Sequence, residues 1–215
     1  MRPIVKICGI MRKQDVHMCA KHGADVLGFV VEYPHPVPWN MSMKAAKELI
    51  EAVPKTVKTC VVTGGPREKM LRIAHELKPD YMQLHDNESL EDVAYLVSEL
   101  GKRDIKIIKT LFPNTPDLKK TARDFAATGI YALLLDPRTP ENATESGGVD
   151  YELFEMLKQA IDCPVILAGG ITADNIAKIT ASASPVIIDV MTGVEKSSGV
   201  KDEAKVASLL KNLSC

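Results

Sequence analysis

Two side chains in this sequence have the type and the neighbours for proton transfer. Cys8 ends a short apolar run that starts at Ile4, and Lys6 stands two residues before it. In a strand, side chains alternate between faces, so Lys6 and Cys8 would share one. An ammonium at that spacing favours the thiolate, the form that acts as base or nucleophile. Asp136 ends the run Tyr131-Ala-Leu-Leu-Leu-Asp136. A carboxylate placed after three leucines is expected to be partly desolvated, which raises its pKa toward use as a general acid. The competing roles are a small buried apolar group for Cys8 and a loop cap for Asp136.

Glycines supply a second kind of chemistry. Gly169-Gly170 lies between a strand-like run and a helix-like stretch, with Thr172 close behind. Gly193 and Val194 follow the last strand-like run. Backbone N–H groups exposed by glycine near a helix N-terminus bind phosphate well; tight turns are the alternative use. His85, in Gln83-Leu84-His85, is a candidate to donate to a ligand or to orient a neighbour, with a satisfied structural histidine as the competing role. A metal site is not expected, because His17, His22, His35, His75 and His85 show neither H-x-x-x-H nor H-x-H spacing.

These residues need elements to hold them. Eight β-rich runs occur at Ile4–Cys8, Asp25–Val31, Val57–Thr63, Tyr81–Leu84, Ile105–Lys109, Tyr131–Asp136, Val165–Ala168 and Val186–Val190. Between and after them lie eight stretches with apolar residues at helical spacing: Lys13–His22, Ser42–Val53, Arg67–Leu77, Ser89–Leu100, Pro116–Ala127, Tyr151–Ile161, Ala173–Thr180 and Asp202–Asn212. Pro66 opens the third helix, Gly23 closes the first, Gly101 is read as a C′ glycine after the fourth, and Thr172 or Asp174 as the cap of the seventh. Strict alternation implies parallel strands with right-handed crossovers. Eight regular units, with no G-x-G-x-x-G after the first strand and no P-loop, favour an α/β fold in the form of one compact (β/α)8 TIM barrel spanning residues 1–215. Active sites of such barrels lie at the C-terminal strand ends, and phosphate often sits between the loops after strands seven and eight. Cys8, His85, Asp136, Gly169-Gly170 and Gly193 all fall at those ends.

The composition is that of a soluble globular chain: 215 residues, 46% hydrophobic and 26% charged, with 27 basic and 28 acidic residues and a net charge of −1. Such a balance leaves no basic footprint for nucleic acid and no polybasic membrane patch. No stretch approaches the roughly 18 apolar residues of a membrane span. Cys8, Cys19, Cys60, Cys163 and Cys215 are odd in number and lack C-x-x-C spacing, which suits reduced thiols in a cytoplasm. The expected partner is a small phosphorylated molecule; oligomeric state is not legible.

Taken together, K-I-C-G at Lys6–Gly9, G-A-D-V-L-G-F-V at Gly23–Val30, Q-L-H at Gln83–His85, L-L-L-D at Leu133–Asp136, G-G-I at Gly169–Ile171, D-V-x-x-G-V-E at Asp189–Glu195 and G-x-K-D at Gly199–Asp202 resemble phosphoribosylanthranilate isomerase, nearly end to end and in order. The resemblance implies a short (β/α)8 barrel of tryptophan biosynthesis. Its reaction is the Amadori rearrangement of N-(5-phosphoribosyl)anthranilate to the ribulose form, without cofactor or metal. It implies Asp136 as the general acid that opens the furanose ring and Cys8 as the base that removes the C2 proton. The family usually carries S-x-R-Y-I-S after the second strand, its arginine expected to bind the anthranilate carboxylate. Here residues 32–42 read Glu-Tyr-Pro-His-Pro-Val-Pro-Trp-Asn-Met-Ser, and Pro38 or Trp39 takes the arginine's place. Trp39, the only tryptophan, is read either as stacking on an aromatic substrate or as packing the loop on the barrel. Arg138 is the candidate for the missing positive charge. The other readings are a related isomerase acting on a different amino-sugar phosphate and a non-catalytic barrel that binds a phosphorylated ligand.

Overall fold

The structure, a computed structural model, describes residues 2–137 and 148–213. Strands β1 (Ile4–Ile7), β2 (Val26–Val30), β3 (Lys58–Thr63), β4 (Tyr81–Leu84), β5 (Lys106–Leu111), β6 (Ala132–Leu135), β7 (Val165–Ala168) and β8 (Ile187–Val190) form a closed parallel barrel in sequential order. Helices α1 (Lys13–Lys21), α2 (Met43–Ile50), α3 (Arg67–Leu77), α4 (Leu90–Gly101), α5 (Leu118–Ala127), α6 (Tyr151–Ala160), α7 (Ile176–Ala183) and α8 (Glu203–Asn212) follow the strands in turn. All eight expected strands and all eight expected helices are present. Between β8 and α8 the chain adds a 3-10 turn, Thr192–Val194, and a two-stranded hairpin, β9 (Glu195–Ser197) with β10 (Val200–Lys201), which the sequence pattern does not announce.

Strand periodicity divides the core into two layers. Val5, Ile7, Leu27, Phe29, Leu133, Leu135, Ile188 and Val190 face the helices and join their apolar faces. The alternate residues, among them Cys8, Val26, Val30, Cys60, Val62, Leu134, Ile166 and Ile187, fill the barrel interior. Lys6 and Asp189 belong to this inner set by parity, and they are register partners where β1 meets β8 to close the ring. Their side chains form a buried ion pair at 2.6 Å. Gly28 of β2 makes room for this wall, because a Cβ there would lie 2.8 Å from Cys8 Sγ and 3.1 Å from Lys6 Cε. A glycine inside a strand commonly marks such close approach.

Some expected helix ends move. Gly101 is the last helical residue of α4 rather than a C′ residue, and Asp104, at φ 59°, is the left-handed residue of that connection. Neither Thr172 nor Asp174 caps α7, which starts later, at Ile176 after Asn175. The Asn175 carboxamide instead accepts from Thr172 N–H at 2.8 Å and donates to the Gly170 carbonyl at 2.8 Å, so it braces the glycine loop. Ser42, Ser89, Asp150 and Asp202 cap α2, α4, α6 and α8, each satisfying an N–H left over at a helix start. Among the described residues no helix is long and apolar enough to cross a membrane.

Removing one partner of a buried ion pair leaves an uncompensated charge. Lys6→Met is therefore expected to lower the unfolding free energy by about 3–5 kcal/mol, read by urea titration. Adding Asp189→Leu is expected to recover part of that loss. A single variant as stable as the parent would show that the pair contributes nothing to stability.

Candidate active site

Cys8 follows β1 directly and continues its pairing, its N–H donating to the Val190 carbonyl at 2.9 Å. The thiol is buried. Burial pushes its pKa above the ordinary thiol value; the Lys6 ammonium pulls it down, and Asp189 pushes it up again. Lys6 shares the face of Cys8 and favours its thiolate, as expected, but desolvation outweighs that pull. For Lys6 itself burial opposes the charge, yet Asp189 prevails and holds the ammonium well above its usual range. Cys19 and Cys60 are pushed up to about 12 by burial, and burial also raises Cys163; these three behave as packing groups. Cys215 lies outside the described residues.

Asp136 follows β6, buried, with its N–H donating to the Leu111 carbonyl at 3.1 Å. Its Oδ2 stands 3.7 Å from His85 Nε2. At the other side of that ring, Nδ1 is 2.9 Å from Gln83 Nε2 and 3.1 Å from Thr110 Oγ1. With the Gln83 amide donating to Nδ1, a neutral ring carries its proton on Nε2, toward Asp136. Phe112 and Tyr33 pack edge-on against the imidazole. His85 is therefore an oriented neighbour of the carboxylate.

The glycine loops meet at the same mouth. Gly169 (φ +95°) and Gly170 (φ +58°) both take left-handed backbone, which other residues adopt only with strain. A Cβ on Gly169 would run into the Pro137 ring, and one on Gly193 would land on the Ile171 carbonyl oxygen. The loop after β7 thus touches both the segment after Asp136 and the 3-10 turn after β8. Val194 is buried and anchors that turn.

The loop after β2 folds over the mouth through its own contacts. Val31 bridges to Met41, and Tyr33 and Asn40 exchange hydrogen bonds at 2.9 Å. The Tyr33 hydroxyl donates to the His85 carbonyl at 2.8 Å. Trp39 is only 4% exposed, and its indole N–H donates to Glu195 Oε1 at 3.1 Å. It anchors the loop and also lines the cavity, so the two roles considered for it are compatible. Arg138 lies outside the described residues.

One cavity of about 920 Å³, counting its open mouth, is lined by Cys8, His85, Asp136, Gly169-Gly170, Gly193 and Trp39. Its size suits a small molecule. Among the described lining residues there is no arginine or lysine. Two buried acceptors in the lining, Gln83 Oε1 and Asp189 Oδ1, have no hydrogen-bond partner among the described residues, an arrangement suited to donors on a polyhydroxylated ligand. Sequence reasoning did not single out Gln83, Asp189 or Tyr33 as lining residues. A usable signal existed for Asp189: it is a charge inside an apolar strand, as Lys6 is, and buried charges come in pairs.

Comparison with known proteins agrees with this geometry. Residues 5–212 match the family model described as N-(5'phosphoribosyl)anthranilate (PRA) isomerase. The N-(5'-phosphoribosyl)anthranilate isomerase of Methanosarcina acetivorans is 31% identical over 225 residues, spanning 98% of this chain and 93% of that one. That of Haloferax volcanii is 32% identical over 208 residues, spanning 96% and 90%. The crystal structure of the Thermus thermophilus phosphoribosyl anthranilate isomerase superposes with a TM-score of 0.81 at 30% identity, covering 100% of this chain and 98% of that one. A phosphoribosyl anthranilate isomerase in complex with reduced 1-(o-carboxyphenylamino)-1-deoxyribulose 5-phosphate superposes at 0.80 with 26% identity, covering 100% and 99%. With motifs, barrel, cavity and relatives in agreement from end to end, the chain belongs to the N-(5'-phosphoribosyl)anthranilate isomerase family.

Proposed function

We propose that this chain is an isomerase that converts N-(5'-phosphoribosyl)anthranilate to 1-(2-carboxyphenylamino)-1-deoxyribulose 5-phosphate, with Asp136 as general acid and Cys8 as general base. The observation that carries the reading is that the thiol and the carboxylate, 128 positions apart in the sequence, line one cavity together with the Gly169-Gly170 and Gly193 loops. Protonated Asp136 gives its proton to the ring oxygen as the C1–O bond breaks, and the nitrogen lone pair forms the Schiff base. The Cys8 thiolate takes the C2 proton, which leaves an enolamine; a proton then returns to C1 as the C2 hydroxyl gives up its own, which gives the ketone. C1 is reduced and C2 oxidised within one molecule, so no outside electron donor or acceptor enters. Gly169-Gly170, Gly193 and Val194 hold the phosphate by backbone N–H groups. His85 and Gln83 orient the acid side, and Trp39 closes the cavity against the aromatic end. Arg138 is the candidate partner for the anthranilate carboxylate. The free thiols of Cys8, Cys19, Cys60 and Cys163 fit a reducing cytoplasmic setting.

A second reading, a different amino-sugar phosphate as substrate, is favoured by one observation: residues 32–42 carry no arginine and no described lining residue supplies one. The same assay separates the two. Mixed with freshly generated phosphoribosylanthranilate, the purified protein is expected to remove the anthranilate-type fluorescence. Cys8→Ser and Asp136→Asn are each expected to lower kcat by about 10²–10⁴-fold. No turnover by the parent protein at high enzyme concentration would sink the first reading and leave the second.

The pH profile follows from the raised thiol. A base must be deprotonated, and a pKa pushed above the ordinary value puts that event on the alkaline side. In the Asp136→Asn variant, where the acid no longer titrates, the residual kcat/KM is therefore expected to climb, with a slope near one per pH unit, from about pH 6 to about pH 8.5. A plateau already present at about pH 6 in that variant would remove Cys8 as the base.

Gly193→Ala puts a methyl group on the Ile171 carbonyl and must open the phosphate loops. Loss of one charge-assisted hydrogen bond to phosphate is expected to raise KM about tenfold or more. Unchanged inhibition by inorganic phosphate in that variant would place the anion elsewhere.

A further inference from the structure

We infer that Glu195 is a positioning residue that couples the phosphate end of the cavity to Trp39, so that filling one end reorganises the other. The inference rests on the isomerase reading above and adds a role that neither the acid–base pair nor the glycine loops contain.

One carboxylate oxygen carries the connection. Glu195 Oε1 accepts from the Trp39 indole N–H at 3.1 Å, from Lys201 Nζ at 2.8 Å and from the Gly199 N–H at 3.3 Å. All of this is buried: the Lys201 side chain is 0% exposed and that of Glu195 6%. A buried indole N–H that loses its acceptor is left unsatisfied, so Trp39 must follow Glu195.

Glu195 in turn must follow the phosphate turn. It is the next residue after Thr192–Val194. Lys201 Nζ also bonds the carbonyl of Met191, the residue before that turn, at 3.2 Å. Lys205 Nζ bonds the Glu195 carbonyl at 2.7 Å, and Asp202 N–H bonds the Val194 carbonyl at 2.8 Å. The turn that carries Gly193 is thereby fastened on both sides to the lysine that holds the Glu195 carboxylate.

Trp39 passes the displacement onward. Its Cδ1 edge lies where a Cβ on Gly9 would come within 3.2 Å, and Gly9 follows Cys8. Tyr33 of the same loop reaches the His85 carbonyl. An anion that draws in the Gly193 turn therefore pulls, through Glu195 and the indole, on the loop that roofs the aromatic end of the cavity.

The only tryptophan of the chain reports on this directly. Titrated with inorganic phosphate, the full-length protein is expected to show a saturable change in Trp39 emission, with a midpoint equal to the competitive inhibition constant of phosphate. Trp39→Phe keeps an aromatic ring but removes the indole N–H together with the Cδ1 edge that faces Gly9; its phosphate inhibition constant is expected to rise about fivefold or more. Glu195→Leu combined with Lys201→Met removes the acceptor without stranding the ammonium. This double variant is expected to show the same rise and to lose the emission response at saturating phosphate. An inhibition constant in Trp39→Phe within about twofold of the parent overturns the inference, and this variant decides the matter if the double variant does not fold. A full-amplitude emission response in the double variant overturns it as well. A parent protein that turns over substrate while its emission ignores phosphate overturns the coupling alone. A parent protein that neither turns over substrate nor binds phosphate overturns the isomerase reading and the coupling with it.

Discussion

The closure of β8 onto β1 is the constraint on which the site depends. It pairs Ile4–Ile7 with Ile187–Val190 and sets Lys6 opposite Asp189 in the barrel interior. Two opposite charges buried in an apolar ring are tolerable only in contact. A shift of one residue in register would turn one of them toward the helices and the other toward the interior. The ion pair thus fixes the alignment of the first and last strands, and with it the height of Cys8 relative to Gly193. A wall built from residues 183 positions apart becomes a single surface.

The electrostatics of that wall follow from the same pair. In a water-poor interior the ammonium of Lys6 pulls the thiol down, the carboxylate of Asp189 pushes it up, and burial is the largest influence of the three. A thiol held neutral in the resting protein gains its proton affinity from desolvation, and it gives up the proton only as pH rises. The acid side is arranged differently. Asp136 stands beside an imidazole whose orientation is set by Gln83, Thr110, Phe112 and Tyr33. The thiol and the carboxylate therefore sit in unlike surroundings, as the proposed base and acid working at one pH require.

Close backbone approach does the remaining positioning. Gly28 admits Lys6 and Cys8 into the barrel, and Gly169 and Gly193 let three loops touch where side chains would collide. Packed loops of this kind rearrange together, because a dense interior is bistable rather than continuously deformable. Trp39, wedged against the Cys8-Gly9 end and hydrogen-bonded to Glu195, joins the loop after β2 to the segment after β8.

The sequence by itself determined the alternation of eight strands and eight helices, because hydrophobic periodicity is a local property that survives the loss of all tertiary information. It also marked Cys8, Asp136 and the paired glycine loops, because the barrel topology places every strand end at one mouth. Helix ends were less legible. Asn175 braces a loop instead of Thr172 or Asp174 capping a helix, and Asp104 takes the turn that Gly101 was expected to make, since competing hydrogen bonds decide among near-equal local choices. What only the tertiary structure decided were the partnerships of charge and backbone across long separations: Lys6 with Asp189, Glu195 with Trp39 and Lys201, Gly193 with the Ile171 carbonyl. A thiol's proton affinity depends on the whole field and burial around it: the lysine two residues away still pulls the thiol down, but the desolvation that outweighs it exists only once the barrel has closed.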